Sequence, residues 1–281
     1  MGVGMKKLSL MALFLFLIIV IGCDTTTNLD GDRYPYPLST GNQWEFRREF
    51  RSDYYPDSLN RDSIITTVAG SDSISILTAG KEVLRDSIET TKLLQKAWED
   101  TLVNLGEYYY QERDTGLFQI AHRNYYHYSL PKSTNHISPF NEPLMPEHLQ
   151  KLIAKESGSF GKITGDDELR IEESPPYVIK YPLEMGSSWY YRKTPWIIEK
   201  EVIADTNITV PAGSFDCYQV HSRYNIPGFN GEVTINDFIA DQGLILRELH
   251  TESMIYQNSF IDSALYNVWN DKYILMDYEV H

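Results

Sequence analysis

Apolar and aromatic residues alternate with polar ones through much of the chain beyond residue 34. A period of two is typical of strands with one buried face. The clearest segments are rich in β-branched and aromatic residues, and Gly, Pro, Asn and Asp separate them. These segments are 64–68, 189–192, 197–204, 215–224, 233–239 and 244–249. The pattern predicts a mainly β fold. Residues 87–104 fit either a helix or a hairpin, and we expect strand.

One segment has a helical period instead. Leu149, Leu152 and Ile153 form an apolar stripe between Pro146, which suits a first helical turn, and Gly158, which suits a helix end. The sequence therefore predicts a short amphipathic helix near 146–157. Its stripe would face the sheet, and the helix is a candidate lid. It would follow a long connecting loop over the proline-rich residues 129–145.

Two segments of the chain repeat one another. Residues 36–46 and 181–191 share Tyr, Pro, Leu, Gly and Trp in register. Pro fixes φ, Gly permits a turn that other residues resist, and Trp then opens a strand. The main positions are Pro37, Gly41 and Trp44 in the first copy, and Pro182, Gly186 and Trp189 in the second.

Two weaker, turn-like similarities follow in the same order in both halves of the chain. Residues 103–108 match 210–215, and residues 114–117 match 241–244. We interpret the halves as two related lobes, about 34–140 and 159–281, of one β-rich domain covering 34–281. The loop and the helix would join them. Convergent turn chemistry is the alternative interpretation.

The amino-terminal segment looks like an export signal. Lys6 and Lys7 precede an apolar run over 8–22, which is shorter than the ~20 residues of a bilayer span and fits a signal-peptide core. Its end, Val-Ile-Gly-Cys over 20–23, resembles the lipobox of bacterial lipoproteins. That resemblance implies cleavage after residue 22, lipid on the Cys23 thiol and a polar tether over 23–33. A plain signal peptide or an anchor helix is the alternative. We expect a cell-envelope protein held to the inner or outer membrane.

Composition excludes several classes of function. The chain has 39 acidic and 25 basic residues, a net charge of −14, which argues against nucleic acid as a partner. Two cysteines exclude a disulfide framework and a cysteine-rich zinc site. If Cys23 carries lipid, Cys217 has no partner, and its position in a strand pattern predicts a buried, inert thiol.

No pattern marks catalytic or metal chemistry, so we expect no enzyme activity, no metal and no cofactor. The histidines of the middle region, His122, His127, His136 and His148, lack zinc-site spacing and suit a surface or loop. The tyrosine clusters 108–110 and 125–128 are candidates for surface recognition. If they are strands, alternation turns some of these rings outward, where they suit a glycan or a protein. Ordinary cross-strand pairing is the alternative.

The Tyr-Pro-Leu-x-x-Gly-x-x-Trp element, residues 210–215 and Asp241-x-Gly243-Leu244 together resemble a group of uncharacterised bacterial envelope lipoproteins. The resemblance covers about 34–250 and implies the half-barrel fold of the periplasmic lipoprotein-carrier superfamily. In that fold a strongly curved antiparallel sheet has helices over its concave side. We therefore expect a curved sheet or open half-barrel, and a membrane-tethered protein that binds an apolar ligand or part of a lipoprotein. A structural or binding module that uses exposed tyrosines is the second hypothesis.

Overall fold

The computed structural model describes residues 35–52, 55–76, 86–99, 101–126, 169–172, 174–193, 197–225, 232–258 and 261–281. In these ranges the chain forms thirteen β-strands and no helix. The strands are β1 (Gln43–Ser52), β2 (Tyr55–Ile76), β3 (Asp86–Glu99), β4 (Thr101–Arg113), β5 (Gly116–Tyr126), β6 (Arg170–Ile171), β7 (Tyr177–Lys180), β8 (Ser188–Arg192), β9 (Ile197–Val210), β10 (Gly213–Asn225), β11 (Glu232–Ala240), β12 (Gly243–Asn258) and β13 (Ile261–Glu279). Cys23, the tether and the predicted helix with Leu149, Leu152 and Ile153 lie outside the described residues.

All the strands belong to one antiparallel sheet. Twelve follow the order β6-β5-β4-β3-β2-β1-β13-β12-β11-β10-β9-β8, and β7 pairs with β5. The sheet thus consists of two meanders, β1–β5 and β8–β13, which join where β1 pairs with β13. At the other side, β7 brings the two ends of the sheet together, because Tyr177 O accepts from Trp189 Nε1 at 2.9 Å and Val178 O accepts from Lys200 Nζ at 3.2 Å. The sheet is therefore nearly closed and barrel-shaped.

The predicted mainly β, antiparallel fold is confirmed. Each of the six clearest segments lies within a strand. Of the segment 87–104, which fitted either a helix or a hairpin, residues 87–99 belong to β3 and residues 101–104 to β4. Residues 114–115, 211–212 and 241–242 form the predicted turns. The turn expected within 103–108 is wrong, because Gly106 pairs inside β4 with Gln95 on one side and Asn124 on the other. A glycine inside a strand can mark close packing rather than a turn.

The two copies of the repeat make the same backbone hydrogen bonds. In each copy a glycine with positive φ, Gly41 at 95° and Gly186 at 77°, ends a tight turn and ties it to the second strand of the meander. The bonds join Gly41 N to Val68 O, Val68 N to Asn42 O and Asn42 N to Ser39 O in the first copy, and Gly186 N to Val202 O, Val202 N to Ser187 O and Ser187 N to Glu184 O in the second.

Each copy of the repeat opens one meander, yet both meanders belong to one continuous sheet. Residues Arg33–His281 form one compact unit. A direct contact also links the copies, since Tyr36 N donates to the Tyr181 hydroxyl at 2.7 Å. The interpretation as two related lobes therefore stays a prediction, and the structure adds that the halves share one interior.

The hydrophobic core lies inside the curved sheet. One cluster surrounds Trp44 and Leu275, where β1 and β13 meet, and a second surrounds Trp189 and Val202 near β7. A third, smaller cluster around Tyr109 lies on the other face of β4 and β5, because Tyr109 alternates with Tyr108 and Tyr110. No helix among the described residues is long and apolar enough to cross a membrane.

Candidate functional site

The inner face of the sheet surrounds a cavity of about 170 Å³. Its lining comes from every strand except β6, together with Tyr36 and Leu38 ahead of β1. A cavity of about 150 Å³ with apolar walls holds benzene, whereas pockets for drug-sized ligands are about 300–1,000 Å³. The cavity therefore suits a molecule, or part of one, about the size of an aromatic ring or a short alkyl chain.

Most of the cavity wall is aliphatic or aromatic. Trp44 and Phe46 of β1 form part of it, and Tyr108, Tyr191 and Tyr273 contribute rings from three other strands. These positions face inward because alternate residues of a strand share a face. The wall thus provides the apolar surface with which small-molecule sites take up ligands.

Three charged side chains interrupt this wall. Asp237 of β11 lies directly across from Arg247 of β12 in the strand register. The Arg247 guanidinium donates two hydrogen bonds to the carboxylate, from Nε to Oδ1 at 2.6 Å and from Nη2 to Oδ2 at 3.0 Å. Lys200 of β9 approaches the same carboxylate, with Nζ 3.8 Å from Oδ2. We call these three residues the interior triad.

Two members of the interior triad are held in their charged forms, although Asp237 is buried and Arg247 is partly buried. Asp237 is 3% exposed. Burial acts to raise the pKa of Asp237, but the charges of Arg247 and Lys200, with the two hydrogen bonds from Arg247, hold it below its usual range. Burial likewise acts to lower the pKa of Arg247, and the neighbouring Asp237 raises it instead. A buried carboxylate that faces two cations remains ionised.

Lys200 also links the two ends of the sheet. It is 7% exposed, and its ammonium donates to Val178 O of β7 at 3.2 Å. The ammonium lies 5.0 Å from the centre of the Tyr191 ring, within the range of a cation–π interaction. The positive charge is thereby held at the seam between β7 and β9, inside the sheet.

Two amide side chains also line the cavity and have buried polar atoms without a hydrogen-bond partner among the described residues. Gln119 of β5 is 6% exposed, and its Nε2 has no hydrogen-bond partner among the described residues. Gln95 of β3 donates through Nε2 to Thr66 Oγ1 at 3.3 Å, but its buried Oε1 has no partner within the described part of the chain. Buried polar atoms are normally paired, and each unpaired one costs about 1–3 kcal/mol. Both amides line the cavity.

Two other buried ionic groups have structural roles. Arg48 of β1 and Asp271 of β13 form a bidentate pair, with Nε and Nη2 at 2.8–3.0 Å from the carboxylate oxygens, where the two meanders join. On the outer face, Glu107 accepts from Lys92 at 2.6 Å and from the Tyr109 hydroxyl at 2.9 Å. Both groups fasten strands together, and neither lines the cavity.

The residues selected from the sequence occupy different places. Trp44 lines the cavity, and Trp189 is buried in the neighbouring core cluster. Pro37 and Gly41 lie in the segment before β1, and Pro182 and Gly186 lie in the one before β8. Cys23 and the candidate lid lie outside the described residues, so lipid attachment and a lid stay predictions.

Cys217 and His122 test two further expectations. Cys217 is buried as predicted, and burial raises the pKa of its thiol to about 12. His122 is also buried, with Nδ1 3.4 Å from Glu172 Oε1, so the expected surface or loop position is wrong for this histidine. The described residues contain no group of His, Cys, Asp or Glu arranged to hold a metal ion.

The first tyrosine cluster does not present an outward ring. Tyr108 and Tyr110 line the cavity, and Tyr109 is buried on the opposite face, where its hydroxyl donates to Glu107. The idea that residues 108–110 form a recognition surface is therefore wrong. Among the described tyrosines, Tyr190 and Tyr278 are the exposed ones, and they lie on separate strands, β8 and β13.

The interior triad and the two glutamines were not selected from the sequence, although a signal was present. Lys200 stands between Ile198 and Val202, and Asp237 stands between Ile235 and Ile239. In both strands the charged residue takes the inward phase of the alternation. A charged residue in the buried phase of a strand points to an interior ion pair or a binding site.

Comparison with known proteins yields only distant likenesses. No family model and no curated protein matches the chain. A presumed exported protein with a YmcC-like fold from Bacteroides fragilis NCTC 9343 is similar at 10% identity and a TM-score of 0.43, over 88% of this chain and 99% of that one. A presumed lipoprotein from Parabacteroides distasonis ATCC 8503 has 13% identity and the same TM-score of 0.43, over 89% and 100%. Likeness at this level assigns neither fold nor function, which are argued from this chain's own residues.

Proposed function

We propose that this protein is a lipid-anchored cell-envelope protein that binds a small, partly apolar ligand inside its curved sheet. The observation that carries the proposal is the cavity of about 170 Å³, with aromatic walls and buried polar atoms that have no partner among the described residues. Concave, mostly apolar spaces with a few polar groups are the usual form of small-molecule sites. The lipobox-like segment that ends at Cys23 supports the anchor.

Binding without catalysis fits the interior better than an enzyme does. Ser222 faces Lys200 across β9 and β10, a pairing of the kind that serine–lysine hydrolases use. A lysine base must accept the proton of the serine hydroxyl. Here the Lys200 nitrogen donates to Val178 O and faces the carboxylate of Asp237, so it is already engaged with groups other than the serine. The charged groups of the interior neutralise and position one another.

The proposal is tested with the full chain in lipid nanodiscs and an environment-sensitive apolar dye. We expect saturable binding to the protein above that to empty nanodiscs. Ser222→Leu fills cavity space from the buried wall and should weaken binding at least about tenfold, since one buried methylene contributes about 0.8 kcal/mol and a clash costs more. Ser214→Leu on the exposed side of the same strand is the matched control and should leave binding unchanged.

The proposal fails if the folded protein shows no saturable binding, or if both serine variants bind the dye as the wild type does. Thermal melts of each variant establish that it is folded. Mass spectrometry of what extracts with the natively expressed protein then identifies a resident ligand.

A further inference from the structure

We propose that the ligand is a small monocarboxylate and that Lys200, with Gln119 beside it, receives the carboxylate at the seam where β7 closes the sheet. This inference rests on the proposed function and specifies the polar group of the ligand. It concerns the region of the cavity bounded by Lys200, Gln119 and the backbone of residues 176–178, which we call the seam site.

The strand arrangement places the Lys200 ammonium and the backbone of Gln119 next to the same short stretch, residues 176–178. Lys200 reaches from β9 to Val178 O, at 3.2 Å. Gln119 lies on β5, and its backbone N donates to Pro176 O at 3.1 Å. Val178 is two residues from Pro176, and the side chains of Lys200 and Gln119 both line the cavity. One brings a positive charge and the other a buried N–H donor to one end of the space.

The charge of the wall favours an anion. Of the charged side chains among the described lining residues, Lys200 and Arg247 are cations and Asp237 is the one anion, so their sum is +1. Arg247 already engages both oxygens of Asp237 at 2.6 and 3.0 Å. The 3.8 Å from Lys200 to Asp237 is a charge attraction, too long for a hydrogen bond. An anionic ligand would balance the excess charge, whereas a cationic one would be repelled.

Hydrogen-bonding capacity points to a carboxylate in particular. A carboxylate is an acceptor with two oxygens, and hydrogen bonds in which a partner is ionised are about twice as strong as neutral ones. One oxygen can accept from the Lys200 ammonium and the other from Gln119 Nε2, the donor that has no partner among the described residues. The remaining atoms of the ligand would lie among the rings of Trp44, Phe46 and Tyr108. At about 170 Å³, the cavity admits a body no larger than a ring or a short chain.

The test compares ligands of one shape and different charge. The full chain in lipid nanodiscs is titrated by calorimetry with 3-phenylpropionate, its neutral amide 3-phenylpropanamide and the cationic 3-phenylpropylamine. We expect the acid to bind about tenfold or more tightly than the amide, the fold-change that one charged hydrogen bond gives, and the amine to bind more weakly than either. Phenyl phosphate distinguishes a carboxylate site from a site for larger anions, and it should bind more weakly than the acid.

Two variants test which side chains cause the preference for the acid over the amide. Lys200→Met keeps the length of the side chain and removes its charge, so the acid should lose about tenfold and bind like the amide, with little change for the amide itself. Gln119→Leu should weaken the acid several-fold. Lys272→Met is the matched control, since Lys272 is an exposed lysine of β13 that pairs with Glu248 at 2.5 Å, and it should change nothing.

Each of these measurements tests one part of the proposal. If wild type binds the acid and the amide equally, or if phenyl phosphate binds more tightly than the acid, the carboxylate assignment is overturned while a binding cavity stands. The placement at the seam site is overturned if Lys200→Met, folded by thermal melt, keeps the full preference for the acid. If Lys200→Met does not fold, Gln119→Leu and the wild-type comparison still decide. Failure of the dye and of all four ligands to bind the folded wild type overturns the proposed function as well.

Discussion

Truncation of Trp44 should cost the protein about 3–5 kcal/mol of unfolding free energy, the usual range for a large buried aromatic ring. Trp44 is 1% exposed where β1 meets the rest of the core, and its Nε1 donates to Gln242 O at 2.5 Å. Its ring packs at 5.9 Å, centre to centre, from that of Tyr36. Trp44→Ala removes the ring, the ring contact and the hydrogen bond together. Trp44→Phe keeps most of the ring and loses the hydrogen bond, so it should cost about 1–2 kcal/mol.

The repeat makes the same prediction at a second position. Trp189 is 7% exposed, and its Nε1 donates to Tyr177 O at 2.9 Å, so Trp189→Ala should also cost about 3–5 kcal/mol. Tyr190, next to it on β8, is 47% exposed, and Tyr190→Ala is the matched control with an expected change within about 0.5 kcal/mol.

Urea melts of the full chain measure these differences, with the slope of each transition compared to detect a change in the unfolded state. For a domain of this size, each kcal/mol corresponds to about 2–4 °C in Tm, so both truncations should lower Tm by about 6–20 °C. A loss below about 1 kcal/mol at either tryptophan would refute the reasoning, because that ring would then not be a core anchor.

Three further predictions address the anchor, the thiol and the response to acid. Cys23→Ser should abolish lipid labelling and leave the uncleaved precursor on a denaturing gel; a variant that is still labelled would contradict lipid attachment at Cys23. Cys217 should resist a thiol reagent at pH 8 until the protein unfolds, because burial raises its pKa to about 12; rapid labelling of folded protein would contradict a buried thiol. Burial acts to raise the pKa of Glu107, but hydrogen bonds from Lys92 and Tyr109 and the charge of Lys92 hold it below its ordinary value. The contribution of Glu107 to stability is therefore present above the unfolded pKa of about 4.3 and is lost as pH falls through the folded pKa. Glu107→Gln should flatten the acid side of a stability–pH curve measured by urea melts. An unchanged curve would contradict this role of Glu107.

The strands were predictable where alternation is regular, and β13, one of those outside the predicted segments, contains a buried charge that interrupts it. The prediction stopped at residue 249 and did not include β13. In that strand the charged Asp271 takes the inward phase shared by Tyr273 and Leu275, so it interrupts the apolar alternation by which the other strands were recognised. Its burial depends on Arg48, which pairs with it from 223 positions away. No local sequence pattern indicates a partner so far away along the chain.

The hairpin turns were predictable only where glycine takes a positive φ. Gly116 and Gly243 have φ of 151° and 101° and end two of the predicted turns. At Gly243 a Cβ would lie 3.2 Å from Trp44 Nε1, so the close approach of the tryptophan also requires glycine. Gly106 resembles these glycines in sequence but lies in mid-strand. Sequence context alone does not separate a glycine needed for its backbone from one needed for its lack of a side chain.

The candidate site followed from closure of the sheet, which the sequence did not specify. Strand patterns predict which residues share a face, but not that β7 would bring β5 and β9 together and enclose the inner face. The interior then stays partly open because small side chains occupy inward positions. Thr66 and Ser222 line the cavity, and Gly106 lies in register with Gln95 on the inner face of β4. With large residues at these three places the interior would fill at ordinary packing density. The same alternation that predicts the strands therefore also determines the space between them, once the closure is known.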